Sequence, residues 1–296
     1  MKDEYIQMRD RETIFVQYHM DPNLKMTLVY VHGGPGQGCW DFKYAAEKLS
    51  ETCNVIMYDQ RGVLRSNTVT EDFSSELLIR DIEDIRKHFQ IDKLILCGHS
   101  YGGHLILRYA LEYPTNVERL IYICPTFDFT ASLQNVYAIS YRLLKASKQF
   151  ETLKALKESV KNHTVKSYLA HLADIPEEIR EVVYYGNPIP QRVKEIIFHN
   201  STTEEDWKKG IEQQKRIFDE DEIYKNYLPY IRHLHIPSLL IVGDHDPICS
   251  DVQQKTFLEN SNNTLAVIKN AGHSLYSENA DEFVEVLKDY LRGVTK

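Results

Sequence analysis

Two hydrophobic patterns alternate along the first 124 residues and return after residue 236, while the stretch between them follows only one. The first pattern is a short, near-continuous apolar run: Met26-Thr27-Leu28-Val29-Tyr30-Val31, Asn54-Val55-Ile56-Met57-Tyr58, Lys93-Leu94-Ile95-Leu96-Cys97, Leu120-Ile121-Tyr122-Ile123-Cys124, Ser238-Leu239-Leu240-Ile241-Val242 and Thr264-Leu265-Ala266-Val267-Ile268. Runs of that length predict strands buried on both faces of a sheet. Thr13 to Tyr18 reads as a further strand, with Tyr5-Ile6-Gln7-Met8 as its hairpin partner across Arg9-Asp10-Arg11. The second pattern recurs every three or four residues, as at Leu78, Ile82, Ile85 and Phe89, and predicts amphipathic helices there, over Asp41 to Leu49 and over Asp281 to Leu291. Strand–helix–strand repetition predicts an α/β protein with a doubly wound, mainly parallel sheet.

From Pro125 to His235 the strand pattern is missing. Helical stretches are predicted at Leu133 to Lys148, Glu151 to Lys161, Val165 to Leu172, Glu177 to Tyr184, Val193 to His199 and Thr203 to Phe218, with breaks at Ile175-Pro176 and Gly186-Asn187-Pro188-Ile189-Pro190. The expected organisation is one α/β core formed by 1–124 and 236–296, interrupted by a helical cap at 125–235. No internal repeat or low-complexity tract is visible.

Composition narrows the function classes. The 296 residues are 43% hydrophobic and 26% charged, ordinary for a globular protein, which excludes collagen-like, disordered and disulfide-scaffold classes. The net charge of −8 disfavours a phosphate backbone, and no Lys/Arg-rich run restores affinity locally, so no nucleic-acid partner is expected. The charged start Met1-Lys2-Asp3-Glu4-Tyr5 is unlike a secretory signal, and no apolar run approaches the roughly 20 residues of a membrane span. The cytoplasm is therefore the expected location, with no membrane partner. Cys39, Cys53, Cys97, Cys124 and Cys249 form no CxxC pair, and read as buried free thiols rather than metal or redox ligands.

Glycine is scarce, 13 residues where average usage of roughly 7% would give about 21, so clusters of it carry information. Gly33, Gly34, Gly36, Gly38, Gly62, Gly98, Gly102, Gly103, Gly243 and Gly272 all fall at the carboxyl ends of predicted core strands or in the following loops. Ligands of open α/β sheets bind along that edge. Gly98-His99-Ser100-Tyr101-Gly102-Gly103 stands between a predicted strand and the helical run His104 to Ala110, the context in which Gly-x-Ser-x-Gly forms a nucleophile elbow. A serine hydroxyl needs a base, and the base needs an orienting carboxylate. Asp246 and His273 each follow a predicted strand at the same sheet edge, in the order Ser, acid, His that this architecture uses. Asp244 is the rival acid, nearer its strand end. The expected oxyanion donors are the backbone N–H groups of Tyr101 and of Gly34 in His32-Gly33-Gly34-Pro35-Gly36. His32 and His99 read as loop or pocket support, and His163, His171 and His199 as solvated surface. No metal or cofactor is required.

With these residues in hand, the chain resembles the α/β-hydrolase fold superfamily over essentially its whole length, and within it the prolyl iminopeptidase group. The markers are His32-Gly33-Gly34-Pro35-Gly36, Asp59-Gln60-Arg61-Gly62, the serine motif, Asp246 and His273. The resemblance implies a serine hydrolase that removes N-terminal proline from short peptides, with acidic residues near the cap holding the free amine. Glu204, Glu205 and Glu212, flanking Trp207, are the candidates for that role, with His99 as a further substrate-binding residue. Four departures keep the substrate open: His99 and Tyr101 flank the serine where the group commonly has Gly and Trp; Val63-Leu64-Arg65 precede Ser66; Pro247 follows the acid; and no cap glutamate matches by motif. A carboxylic ester, lactone or carbon–carbon bond hydrolase is the alternative, and a non-catalytic binder of the same fold is the alternative of another class. The expected partner is a small molecule or short peptide.

Overall fold

The computed structural model describes residues 1–162, 164–197 and 202–293. Eight strands form one sheet: β1 (Lys2–Gln7), β2 (Thr13–His19), β3 (Thr27–Val31), β4 (Asn54–Tyr58), β5 (Leu94–His99), β6 (Val117–Ile123), β7 (Ser238–Gly243) and β8 (Asn263–Ile268), in the order β1-β2-β4-β3-β5-β6-β7-β8. The β1–β2 and β2–β4 pairs are antiparallel, and the others are parallel. The sheet is thus the doubly wound, mainly parallel one that the apolar runs predict.

Side chains on a strand alternate between faces, so each apolar run feeds two cores. Val29, Val31, Ile56, Tyr58, Leu94, Leu96, Leu240 and Val242 enter one, against Leu78, Ile82 and Ile85 of the helix Ser75–His88 and Leu105, Ile106 and Tyr109 of the helix Tyr101–Glu112. Leu28, Tyr30, Val55, Met57, Ile95, Cys97, Ile121 and Ile241 enter the other, against Leu49 of the helix Lys43–Leu49 and Phe283, Val284 and Leu287 of the helix Ala280–Leu291. Burying each such side chain contributes roughly 1.5–3 kcal/mol, which fixes the sheet edge on which the loops are mounted.

Two elements differ from the sequence pattern for physical reasons. The helix Asp251–Leu258 carries no apolar stripe because its buried positions are Gln253 and Phe257, and Gln253 Oε1 accepts from the amides of Phe127 and Asp128. β8 is the edge strand, paired with β7, so of its residues Ile268 alone is buried, while Thr264 and Val267 are exposed.

Between β6 and β7 the described residues form helices only: Phe129–Ala146, Phe150–Ser159, Val165–Asp174, Glu177–Tyr184, Gln191–Ile197, Glu204–Phe218, the short turn Asp221–Tyr224 and Leu228–Ile231. Val136, Leu144, Leu153, Leu156, Ile179 and Val183 make a separate small core there, whereas Ile217, Ile223, Tyr227 and Ile231 pack into the main one. The insertion is therefore anchored through its last third. His163, His199 and the side chain of His171 lie outside the described residues. No helix of the described residues is long and apolar enough to cross a membrane.

Candidate active site

Ser100 sits between β5 and the helix Tyr101–Glu112 with φ 52° and ψ −117°, a backbone region that L-residues rarely occupy. The neighbouring chain makes this turn possible. A Cβ at Gly98 would lie 2.5 Å from the carbonyl oxygen of Gly102, and one at Gly102 would lie 2.0 Å from that of Val31. Both positions thus require glycine, and the motif is a packing demand as much as a chemical one. The turn lifts Ser100 to the carboxyl edge of the sheet, where it lines a cavity together with Gly33, Gly34, His99 and His273.

His273 follows β8, and its Nδ1 donates to Asp246 Oδ1 at 2.7 Å. Asp246 has a fully buried side chain, and it also accepts from the amides of Cys249 at 2.8 Å and Ile248 at 3.2 Å. Three donors satisfy a carboxylate that burial would otherwise penalise. The rival Asp244 instead holds His245 Nδ1 at 2.8 Å, with Lys269 at 3.8 Å. The loop of His273 is fastened from two sides. Its amide donates to the Tyr184 carbonyl at 2.7 Å, and Glu278 accepts from the amides of Gly272, Ser274, Gly186 and Asn187.

The amides of Gly34 and Tyr101 donate to no other residue among the described residues. Tyr101 opens a helix, where amides lack intrahelical acceptors and the dipole favours negative charge. Gly34 has φ 113° and precedes the cis Pro35. His32 pins this loop: its Nδ1 lies 2.9 Å from the Gly33 carbonyl and its Nε2 accepts from the Gln60 amide at 3.0 Å. Burial pushes the His32 pKa down to about 4, so the ring is neutral and able to accept at Nε2.

The cavity has a volume of about 700 Å³, within the range of small-molecule sites. Phe129, Leu133, Leu169, Leu172, Phe218 and Ile248 give it apolar walls. Asp41 lines it too, a residue that the sequence offered only as the start of a helix. Tyr276 Oη donates to Asp41 Oδ2 at 2.5 Å and Tyr30 Oη to Oδ1 at 3.3 Å, while no Lys, Arg or His pairs with it among the described residues. Burial raises the Asp41 pKa to about 7, partly offset by those two phenols. Two other buried acids are paired with a cation: Asp81 is held by Arg61 at 2.5 Å and Asp59 by Arg65 at 2.6 Å. No periodicity or motif marks Asp41; only the fold of the turn Cys39–Phe42 against Tyr276 reveals it.

Glu204, Glu205 and Glu212 face solvent, and none lines the cavity. Glu204 pairs with Lys208 and Glu212 with Arg216 along the outer face of their helix. The helix Glu204–Phe218 reaches the site through other residues. Gln213 Oε1 accepts from the Gly36 amide at 2.9 Å, Gln213 Nε2 donates to the Arg61 carbonyl at 2.7 Å, and Gln214 Nε2 donates to the Pro35 carbonyl at 3.0 Å. His99 does line the cavity. Among the described residues, one group has donor atoms close enough to hold a metal ion: Cys124, Asp246 and His273, within 4.8 Å of one another. The His273–Asp246 hydrogen bond occupies two of those three donors.

Residues 27–280 match the model of the alpha/beta hydrolase fold family. The chain is 27% identical over 282 residues to a proline iminopeptidase of Saccharolobus solfataricus, covering 90% of this chain and 85% of that protein. It is 25% identical over 320 residues to a proline iminopeptidase of Thermoplasma volcanium, covering 98% and 96%. Among solved structures, VinJ matches with a TM-score of 0.76 at 19% identity over 99% of both chains.

Proposed function

The chain belongs to the alpha/beta hydrolase fold family and is a hydrolase, and from that premise we propose a serine hydrolase that acts as a prolyl iminopeptidase-like aminopeptidase on short peptides in the cytoplasm. The observation that carries the substrate is Asp41, a cavity carboxylate with phenol partners and no cation. A carboxylate in an apolar cavity is stabilised by a cation brought with the ligand, and a protonated N-terminus is such a cation. An ester, lactone or carbon–carbon bond substrate has no use for that charge.

Ser100 Oγ attacks the carbonyl of the N-terminal residue, and His273 Nε2 takes the serine proton. Asp246 holds the imidazole by Nδ1 and stabilises its cation, while the amides of Gly34 and Tyr101 stabilise the oxyanion. His273 then delivers the proton to the leaving amine, and water hydrolyses the acyl-enzyme with His273 again as base. The insertion at 125–235 roofs the cavity and restricts water.

Parallel turnover of a prolyl arylamide, a p-nitrophenyl ester and a lactone tests the substrate, and fluorophosphonate labelling of wild type and Ser100→Ala tests the nucleophile. Labelling of wild type alone with prolyl arylamide cleavage is expected. Brisk ester turnover without proline release would reject the aminopeptidase reading, and labelling of Ser100→Ala would reject the nucleophile.

A further inference from the structure

We infer that Arg180 forms a carboxylate subsite at the cavity, so that the substrate class is the free short peptide, carrying both an amine and a terminal carboxylate. The inference rests on the aminopeptidase reading above and adds the other end of the substrate. Among the described residues lining the cavity, Asp41 is the one carboxylate and Arg180 the one guanidinium or ammonium. They have opposite signs and come from opposite parts of the fold. Asp41 belongs to the turn Cys39–Phe42 of the sheet core, and Arg180 to the helix Glu177–Tyr184 of the insertion.

Arg180 is not spent on structure. Glu177 lies one turn back on the same helix and Glu181 beside it, yet the guanidinium makes no ion pair or side-chain hydrogen bond among the described residues. An arginine with acidic neighbours ordinarily pairs along the helix face, as Arg216 does with Glu212 in this chain. Arg180 lines the cavity instead, in the helix whose last residue, Tyr184, accepts from the His273 amide. The insertion thus carries the arginine and the fastening of the His273 loop on one element. A guanidinium presents a planar fork that matches a carboxylate, and one acid and one base lining the same cavity select a dipolar ligand over a singly charged one. About 700 Å³ accommodates a peptide of a few residues.

Calorimetric binding of prolylglycine and prolylglycinamide to Ser100→Ala protein, which holds both without cleavage, tests the subsite. The free acid is expected to bind about three- to tenfold more tightly than the amide, a modest ratio because Arg180 is exposed to solvent. Adding Arg180→Gln should bring the two affinities together, and Arg180→Lys should keep part of the preference. Equal affinities in the parent protein, a preference that survives Arg180→Gln, or binding of neither ligand would overturn the inference. Proline release by the wild-type enzyme is read separately: its absence rejects the aminopeptidase reading, whereas release with no preference for the free acid rejects only the Arg180 subsite.

Discussion

The imidazole of His99 donates through Nε2 to the backbone carbonyl of His273, 2.9 Å away, with the two rings 4.7 Å apart. A carbonyl only accepts, so the single N–H of neutral His99 is at Nε2. Burial and the neighbouring His273 hold the His99 pKa well below its usual value, which keeps that tautomer in place. Its Nδ1 lies 3.4 Å from Tyr276 Oη, the hydroxyl that donates to Asp41. With the Tyr276 proton given to Asp41 and the His99 proton to the His273 carbonyl, that 3.4 Å approach is a packing contact, and His99 reaches the loop of the proposed base through Nε2 alone. His99→Ala removes the donor to a part-buried carbonyl, a change of at most about 1–3 kcal/mol. We expect kcat to fall about 10- to 100-fold with KM nearly constant, and His99→Gln, which retains an N–H donor, to recover part of the loss. Steady-state kinetics with unchanged kcat in His99→Ala would remove His99 as a positioning residue.

Asp246→Asn preserves the shape of the site but leaves one acceptor oxygen where the carboxylate had two; with that oxygen kept for the Cys249 amide, the NH2 group faces both His273 Nδ1 and the Ile248 amide. The imidazole then turns its proton to Nε2, where it cannot accept from Ser100. By analogy with triads of this geometry, kcat should fall about 10³- to 10⁴-fold while the protein stays folded. A loss under tenfold, with a large loss in Asp244→Asn, would move the acid to Asp244.

Asp41 gives a pH dependence with a definite sign. Burial raises its pKa to about 7, so the carboxylate that would hold an ammonium is lost as pH falls through that value. For amine-bearing substrates KM should therefore rise below about pH 7, while KM for a neutral ester stays level, and Asp41→Asn should abolish the difference. Stability runs the other way. The folded state binds this proton more tightly than the unfolded chain, so the contribution is full below the ordinary carboxylate range and fades as pH climbs to about 7. The melting temperature of Asp41→Asn relative to wild type should consequently rise across that window. Parallel KM profiles for amine and ester substrates would remove Asp41 from the amine site.

The sheet was legible because every central strand is buried on both faces, so its signal needs no tertiary context; Asn54–Tyr58 falls where the apolar run does. The serine motif was legible because backbone contacts at Gly98 and Gly102 leave no room for a side chain, a constraint written into residue identity. Asp41, Arg180, Tyr276 and Gln213 were not legible. Asp41, Tyr276 and Gln213 act through partners far along the chain, as Asp41 does with Tyr276, Arg180 is marked only by the cavity it lines, and an isolated acid, base or amide in a helix reads as surface. The same ambiguity covers Glu204, Glu205 and Glu212, acids on a helix that the fold turns to solvent and away from the cavity lining.

Gly210 supplies the last prediction, because it opposes a helix rule. In an exposed helix Gly→Ala gains about 1 kcal/mol of propensity. Here a Cβ at Gly210 would lie 2.2 Å from the Gly36 carbonyl oxygen, and backbone cannot swing aside as a flexible side chain would. Gly210→Ala must therefore lift the helix Glu204–Phe218 from the His32–Gly36 loop and stretch the Gln213 and Gln214 hydrogen bonds to Gly36 and Pro35. That loop carries Gly34, so displacing it withdraws a proposed oxyanion donor, an effect that falls on kcat. We expect Gly210→Ala to lower both the melting temperature and kcat, and Glu205→Ala, on the exposed face of the same helix, to change neither. Thermal denaturation and kinetics on the two variants check this. A Gly210→Ala protein with wild-type kcat and a raised melting temperature would show that the helix yields without moving the loop, and the proposed coupling between insertion and oxyanion site would fall.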